Sequence, residues 1–195
     1  GGCFWGTEHI FKIIPGVLDT TVGYANGSME NPSYEDVCYK DTEHRETVKV
    51  TYDDTKLSLS MLVQAFFMVI DPTVKNRQGN DIGSQYQTGV YYVDKEDLSL
   101  LENTFSKEKT KHNEFYVELK PLDNFYDAEW YHQDYLDKNP DGYCHISYEE
   151  MDKVRKMFAT EIEDNEYKQT ETDDQLFCRI GAQAFDVVKK AGTER

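Results

Sequence analysis

The sequence predicts an α+β fold: a mixed β-sheet with flanking helices, packed as a two-layer sandwich in a single domain, with a C-terminal helical and linker extension. Three observations predict it. Apolar residues recur at helical spacing in some stretches, such as Trp5 to Ile14 and Leu59 to Ile70, and at alternate positions in others, such as Val48, Val50 and Tyr52. The two kinds of stretch do not alternate as a regular βαβ repeat, which argues against a purely parallel sheet. The chain's 195 residues, 38% of them apolar, suffice for one core with an appendage left over.

In order, Pro15-Gly16 stops the first helix, and Val17 to Tyr24 reads as a strand. Gly23 to Pro32, with Asn26-Gly27 and Asn31-Pro32, is loop. Tyr34 to Cys38 has a helical look, with Cys38 as a buried helical cysteine. A strand follows at Val48 to Tyr52, and Leu59, Leu62, Val63, Phe66 and Ile70 form the core stripe of a helix from Ser58 to Ile70. Asp71-Pro72 ends that helix. A polar loop over Lys75 to Gln87 leads to a strand at Thr88 to Val93, a charged helix from Lys95 to about Lys111, and a short strand at Tyr116 to Leu119. Glu129 to Leu136 reads as helix, and Asn139-Pro140-Asp141-Gly142 as a turn that puts Cys144 on movable backbone. Ser147-Tyr148-Glu149-Glu150 has the spacing of a capping box, so a helix should run from there to about Glu161. Glu161 to Gln175 is acidic and almost without apolar residues, which reads as a solvated linker. Leu176 to Val188 then opens a new amphipathic segment.

With 37 acidic against 21 basic residues, the net charge of −16 opposes nucleic acid and anionic membrane as partners. No apolar run approaches the roughly 18 residues of a membrane span, and the start lacks the basic-then-apolar pattern of a secretory signal. The expectation is a soluble protein, cytoplasmic or, had an upstream signal been removed, extracytoplasmic. The cysteines Cys3, Cys38, Cys144 and Cys178 include no C-x-x-C pair, which favours functional thiols over a disulfide framework or a zinc site. Cys3 stands just ahead of the first helix, where the unpaired N–H groups of the first turn favour the thiolate, and Phe4 and Trp5 beside it supply an apolar wall. A small buried hydrophobe is the alternative for a cysteine so placed. From local pattern, Glu46 is an exposed strand-edge carboxylate, Asp81 reads equally as a turn cap or a binding-site acceptor, and His132 equally as a structural histidine or one that lines a site.

Seven motifs in order, Gly2-Cys3-Phe4-Trp5-Gly6, Asn31-Pro32-Ser33-Tyr34, His44-Arg45-Glu46, Gln78-Gly79-Asn80-Asp81, Gly83-Ser84-Gln85-Tyr86, Tyr131-His132-Gln133 and Gly142-Tyr143-Cys144-His145-Ile146, resemble peptide methionine sulfoxide reductase, type A. The resemblance runs from Gly1 to about Ile146. It implies thiol-dependent reduction of the S epimer of methionine sulfoxide, free or in proteins, a repair of oxidative damage. It implies Cys3 as nucleophile, Glu46 as acid, and the phenols of Tyr34 and Tyr86 as donors to the sulfoxide oxygen. Phe4 and Trp5 would cup the methyl group, Asp81 would accept from the substrate backbone, and His132 would line the site. Glu8 competes as the acid but stands about 140° around the helix from Cys3 and roughly 7.5 Å along it.

Attack would leave Cys3 as a sulfenic acid, which Cys144 would resolve to a disulfide for reduction by thioredoxin or another dithiol. No bound cofactor or metal is implied. Relatives usually carry a short apolar strand just before the Gly-Gly-Cys segment, whereas this chain begins at Gly1. The implied organisation is a catalytic domain over 1–146, a helix and acidic linker over 147–175, and over 176–195 an incomplete start of a type B reductase domain, so that the parent would be an A–B fusion. Two other readings stay open on the residues alone: a Cys-His acyl transferase or peptidase using His132 or His44, and an acidic peptide-binding module.

Overall fold

A helix lies across a small antiparallel sheet, and this pair positions Cys3 and Glu46. In the computed structural model, which describes residues 1–169 with side chains as far as 159, α1 (Phe4–Lys12) takes Cys3 as its N-cap residue. Phe4, Ile10 and Phe11 give α1 its buried face, and the helix ends before Pro15, which cannot continue it. That face rests on β1 (Val17–Ala25), whose Val22 and Tyr24 are fully buried. β1 is the centre of a three-stranded sheet between β2 (Arg45–Tyr52) and β7 (Phe125–Asp127), both antiparallel to it. The register sets Tyr24 opposite Glu46 on one side and Tyr126 on the other.

Between β1 and β2, the capping box of Ser33 and Asp36 starts α2 (Tyr34–Tyr39). α3 (Leu59–Met68), capped by Ser58, buries Leu62, Val63, Phe66 and Phe67. It packs on α4 (Leu98–Lys109) through a T-shaped contact of Phe67 with Phe105, ring centroids 5.2 Å apart. Residues 77–92 hold a hairpin of β3 (Arg77–Gln78) and β4 (Asp81–Ile82), a 3₁₀ turn at Ser84–Tyr86, and β5 (Gly89–Tyr92), which pairs in parallel with β6 (Glu118–Pro121). The α+β class holds, with parallel and antiparallel pairing on separate ladders. An apolar cavity of about 210 Å³, lined in part by Val48, Val50, Leu62, Phe66, Val90 and Phe125, lies between β2 and β5.

Five local expectations need correction. The stretch from Glu129 is not a helix to Leu136: only α5 (Tyr135–Lys138) is helical, and Asp134 before it has φ 55°. The Gln133 amide draws this segment onto β1, its Oε1 accepting from Val22 N at 2.9 Å and its Nε2 donating to Val22 O and Ala128 O at 2.9 and 2.8 Å. The Asp134 N–H is spent on Glu8. The strand expected at Tyr116 lies two residues later, and the loop from Lys75 contains the β3–β4 hairpin, which the buried Gln78 amide ties to Asp71 and Thr88. Cys38 is half-buried rather than buried. Finally, α6 (Tyr148–Gln169), opened by the Ser147–Glu150 capping box, continues through the first part of the expected acidic linker. Glu, Lys and Gln are strong helix formers even where no apolar stripe exists.

Gly1–Arg155 forms one compact unit, and residues from Lys156 belong to another. The rest of the linker, Cys178 and the segment likened to a type B reductase lie outside the described residues. Among the described residues no helix is long and apolar enough to cross a membrane.

Candidate active site

Cys3 is 7% exposed, beneath the first turn of α1, and its thiol is free. Gly2 before it has φ 72°, and a Cβ there would lie 2.6 Å from Gln78 Cβ, so only glycine admits this entry to the helix. Glu46 comes up from β2, 3% exposed, and its Oε2 accepts the free N–H of Phe4 at 3.1 Å. The carboxyl group therefore takes the first-turn donor next to Cys3. Burial raises its pKa to about 8, so Glu46 is a protonated acid at neutral pH. β2 is an edge strand, as local pattern suggests, but Glu46 on it is buried and not exposed.

The expected bias of Cys3 toward thiolate is reversed in the unliganded site. Burial, and after it the charge of Glu46, raise the thiol well above its ordinary range. The Phe4 N–H belongs to Glu46, and the Trp5 N–H, which bonds to the thiol and favours its charged form, does not offset burial. Thiol and carboxyl thus compete for one negative charge.

Tyr34 at the start of α2 and Tyr86 in the 3₁₀ turn both pack against the cluster that contains Cys3 and Phe4. Burial raises both phenols, Tyr34 further through its hydrogen bond with Cys38, Tyr86 further through the charges of Glu46 and Cys3. Each remains an O–H donor. Glu129 holds the Tyr34 end, accepting Tyr34 N and the hydroxyl of the buried Tyr24, each at 2.8 Å. Burial opposes the charge on Glu129, but the bond from Tyr34 N–H helps keep its pKa below the ordinary range.

Phe4 is only 1% exposed, a floor under the site and not an open wall. Trp5 stacks on Tyr135, ring centroids 3.7 Å apart, and donates its indole N–H to His132 Nδ1 at 3.2 Å. His132 is 3% exposed and touches Phe4, Trp5, Tyr34 and Tyr131, with burial holding it below the ordinary histidine value. Its acceptor nitrogen is occupied by Trp5, and His44 Nε2 lies 2.8 Å from Met29 O. Neither ring serves Cys3 as a base, which removes the geometric support for a Cys-His acyl transferase. Glu8 is also buried, its Oε2 accepting Asp134 N at 2.9 Å and its Oε1 the Thr20 hydroxyl, so it joins α1 to residue 134 away from Cys3.

Asp81 on β4 keeps one buried oxygen without a partner, and Tyr143 leans on it; burial and then the Asp81 charge push that phenol up to about 12. Cys144 is a free, half-buried thiol whose Sγ lies 3.4 Å from Ile146 O. A Cβ on Gly6 would lie 3.0 Å from that sulfur, so Cys144 sits against the first turn of α1 and within electrostatic reach of Cys3. The structure thus gathers Cys3, Glu46, Tyr34, Tyr86, Asp81 and Cys144, with Phe4, Trp5 and His132 as an aromatic base. Sequence reasoning gave no role to Tyr24, Glu129 or the Tyr34–Cys38 contact. Glu129 carries no local signal, since Ala128-Glu129-Trp130 reads as the start of a helix.

A family model described as peptide methionine sulfoxide reductase matches residues 1–166. The chain is 55% identical over 154 residues to peptide methionine sulfoxide reductase MsrA of Clostridium acetobutylicum, covering 78% of this chain and 95% of that protein. It is 53% identical over 150 residues to the protein of the same name from Mycoplasma pneumoniae, covering 76% and 96%. Among solved structures, Mxr1 from Saccharomyces cerevisiae in reduced form matches with a TM-score of 0.71 and 39% identity, over 75% of this chain and 87% of that one. Methionine sulfoxide reductase A of Corynebacterium diphtheriae matches with a TM-score of 0.64 and 37% identity, over 73% and 74%. The chain belongs to the peptide methionine sulfoxide reductase family.

Proposed function

We propose that this chain is an oxidoreductase that reduces the S epimer of methionine sulfoxide, free or in proteins, with Cys3 as nucleophile and Glu46 as acid. The observation that carries the reading is the buried Glu46, protonated at neutral pH and bonded to the N–H that follows Cys3. A sulfoxide sulfur accepts a nucleophile only as its oxygen takes up a proton, so donor and nucleophile must converge on adjacent atoms. Glu46 gives its proton to the sulfoxide oxygen, and Tyr34 and Tyr86 donate hydrogen bonds to it. The Cys3 thiolate forms the new bond at sulfur, oxygen ends on Cys3 as sulfenic acid, methionine leaves, and Glu46 is left ionised. Charge and atoms balance with no further reactant.

Phe4 and Trp5 offer the substrate methyl an apolar surface, His132 fixes Trp5, and Asp81 is the acceptor for a substrate backbone N–H. Cys144 attacks the sulfenic acid, water leaves, and a Cys3–Cys144 disulfide forms. A thioredoxin-like protein or small dithiol then reduces it, so the cysteines themselves carry the electrons. Residues 1–146 form the catalytic domain in this reading, 147–175 the helix and linker, and 176–195 the start of a second reductase domain.

The test is anaerobic turnover of the two separated sulfoxide epimers with dithiothreitol. The S epimer should yield methionine and the R epimer none, and Cys3→Ser should abolish turnover because a hydroxyl is not ionised at neutral pH. Residual activity above about one percent in Cys3→Ser would remove Cys3 from the nucleophile's role.

A further inference from the structure

His145 is a buried ionisable side chain to which the proposed reaction gives no task. Its side chain is 4% exposed, and among the described residues neither ring nitrogen has a hydrogen-bond partner of ordinary geometry, the Gly1 backbone making only a weak contact that favours the charged ring. A buried donor without an acceptor costs stability, and simple packing does not require one. The ring stands between the two glycines that flank Cys3 and its first turn. A Cβ on Gly2 would lie 2.9 Å from Nε2, and one on Gly6 would lie 3.3 Å from Nδ1. The same point on Gly6 is 3.0 Å from Cys144 Sγ, which puts that sulfur and His145 Nδ1 within about 6 Å of each other. Asp81 Oδ2, itself unpartnered, lies 3.9 Å from Nδ1, too far for a hydrogen bond and close enough to favour an imidazolium.

We propose that His145 carries the proton in the resolving step, taking it from the Cys144 thiol and delivering it to the hydroxide that leaves Cys3. The proposal rests on the reading of Cys144 as the resolving thiol. His145 accepts the Cys144 proton, and the thiolate's electron pair forms the bond to the Cys3 sulfur. The S–O bond breaks with its electron pair on oxygen, and the imidazolium protonates the departing hydroxide to water. The Cys3 sulfur is reduced, the Cys144 sulfur is oxidised, and the imidazole returns neutral. The groups facing the ring are the Cys144 thiol, the Gly1 backbone, Asp81 on β4 and Glu150 on α6. Burial holds the imidazole below its ordinary pKa against the pull of Asp81, the Gly1 backbone and Glu150, so it is a free base at neutral pH.

The experiment mixes the reduced 195-residue chain with one equivalent of S-sulfoxide. Methionine release and formation of the Cys3–Cys144 bridge are followed in alkylated samples between about pH 5 and 9. In the parent, bridge formation should rise with pH through the range below about 6.5 and then level off. His145→Asn should slow bridge formation about tenfold more than it slows methionine release at neutral pH. The deficit should shrink toward alkaline pH, where the thiol ionises unaided. Equal slowing of both steps, or an unchanged pH profile, would overturn the proposal. Should His145→Asn fail to fold, the parent decides alone: a bridge-formation profile with no limb in the histidine range overturns it. A parent that releases methionine but never forms the Cys3–Cys144 bridge would instead defeat the assignment of Cys144.

Discussion

Glu46 and Cys3 meet at the first turn of α1, Glu46 bonded to the Phe4 N–H and the thiol to the Trp5 N–H, and in the proposed reaction their titrations are coupled. With both groups raised above their ordinary values, the free site holds both protons at neutral pH. The reactive form has lost one of them, leaving a thiolate beside a protonated carboxyl. Methionine release in a single turnover should therefore accelerate as pH rises from about 6 toward 8, as the pair loses its first proton. Glu46→Gln keeps the shape of the site, gives up the transferable proton, and should lower the rate by about two orders of magnitude. It should also move the titration to the higher range of the isolated buried thiol. A Glu46→Gln variant with the parent's rate and profile would return the acid's role to Glu8 or a tyrosine. The motif residues were legible in the sequence, but the environment of Glu46 was not. Its hydrogen-bond donor is Phe4, 42 positions away, and no local pattern at β2 announces it.

At the scale of elements, α1, β1, β2, α3 and α4 were readable because each carries its own apolar period and its own stop or cap. The segment around Glu129 was misread because its structure is imposed from outside. Gln133 stands where a neighbouring strand would continue, supplying the Val22 N–H with the acceptor that β7 does not reach and adding a second donor to the Val22 carbonyl beside Ala128 N–H. Gln133→Ala leaves the Val22 N–H without its partner and should cost about 2 kcal/mol, or roughly 4–8 °C in Tm. Because the same segment carries Glu129 and His132, the variant should also loosen Tyr34 and Trp5 and slow turnover. Urea denaturation checks the stability, and a change below about 0.5 kcal/mol would show that the amide is replaceable by water. The helical continuation of α6 to Gln169 was missed for a different reason: high charge without apolar residues suits a solvated helix as well as a linker.

At the scale of the molecule, every functional group named above lies at or before His145, in the compact unit Gly1–Arg155. On the proposed domain boundaries, removal of Lys168–Arg195 should leave S-epimer turnover within about twofold, and the intact chain should not reduce the R epimer. Collapse of activity on truncation, or turnover of the R epimer, would place part of the working site beyond the catalytic domain. Fold class and family were legible because seven motifs keep their order along the chain. What brings them together was not, since β1 joins residues from positions 46 and 126 and α1 gathers Glu46, Cys144 and His145 at its first turn. The decisive measurement is a single anaerobic turnover of S-sulfoxide by Cys144→Ser, with released methionine counted and the oxidised residue located by peptide mass mapping. One equivalent of methionine, with a single oxygen retained on Cys3, is the expected result. No methionine, or oxygen found on Cys38 or Cys178 with Cys3 still a thiol, would contradict attack by Cys3 on the sulfoxide.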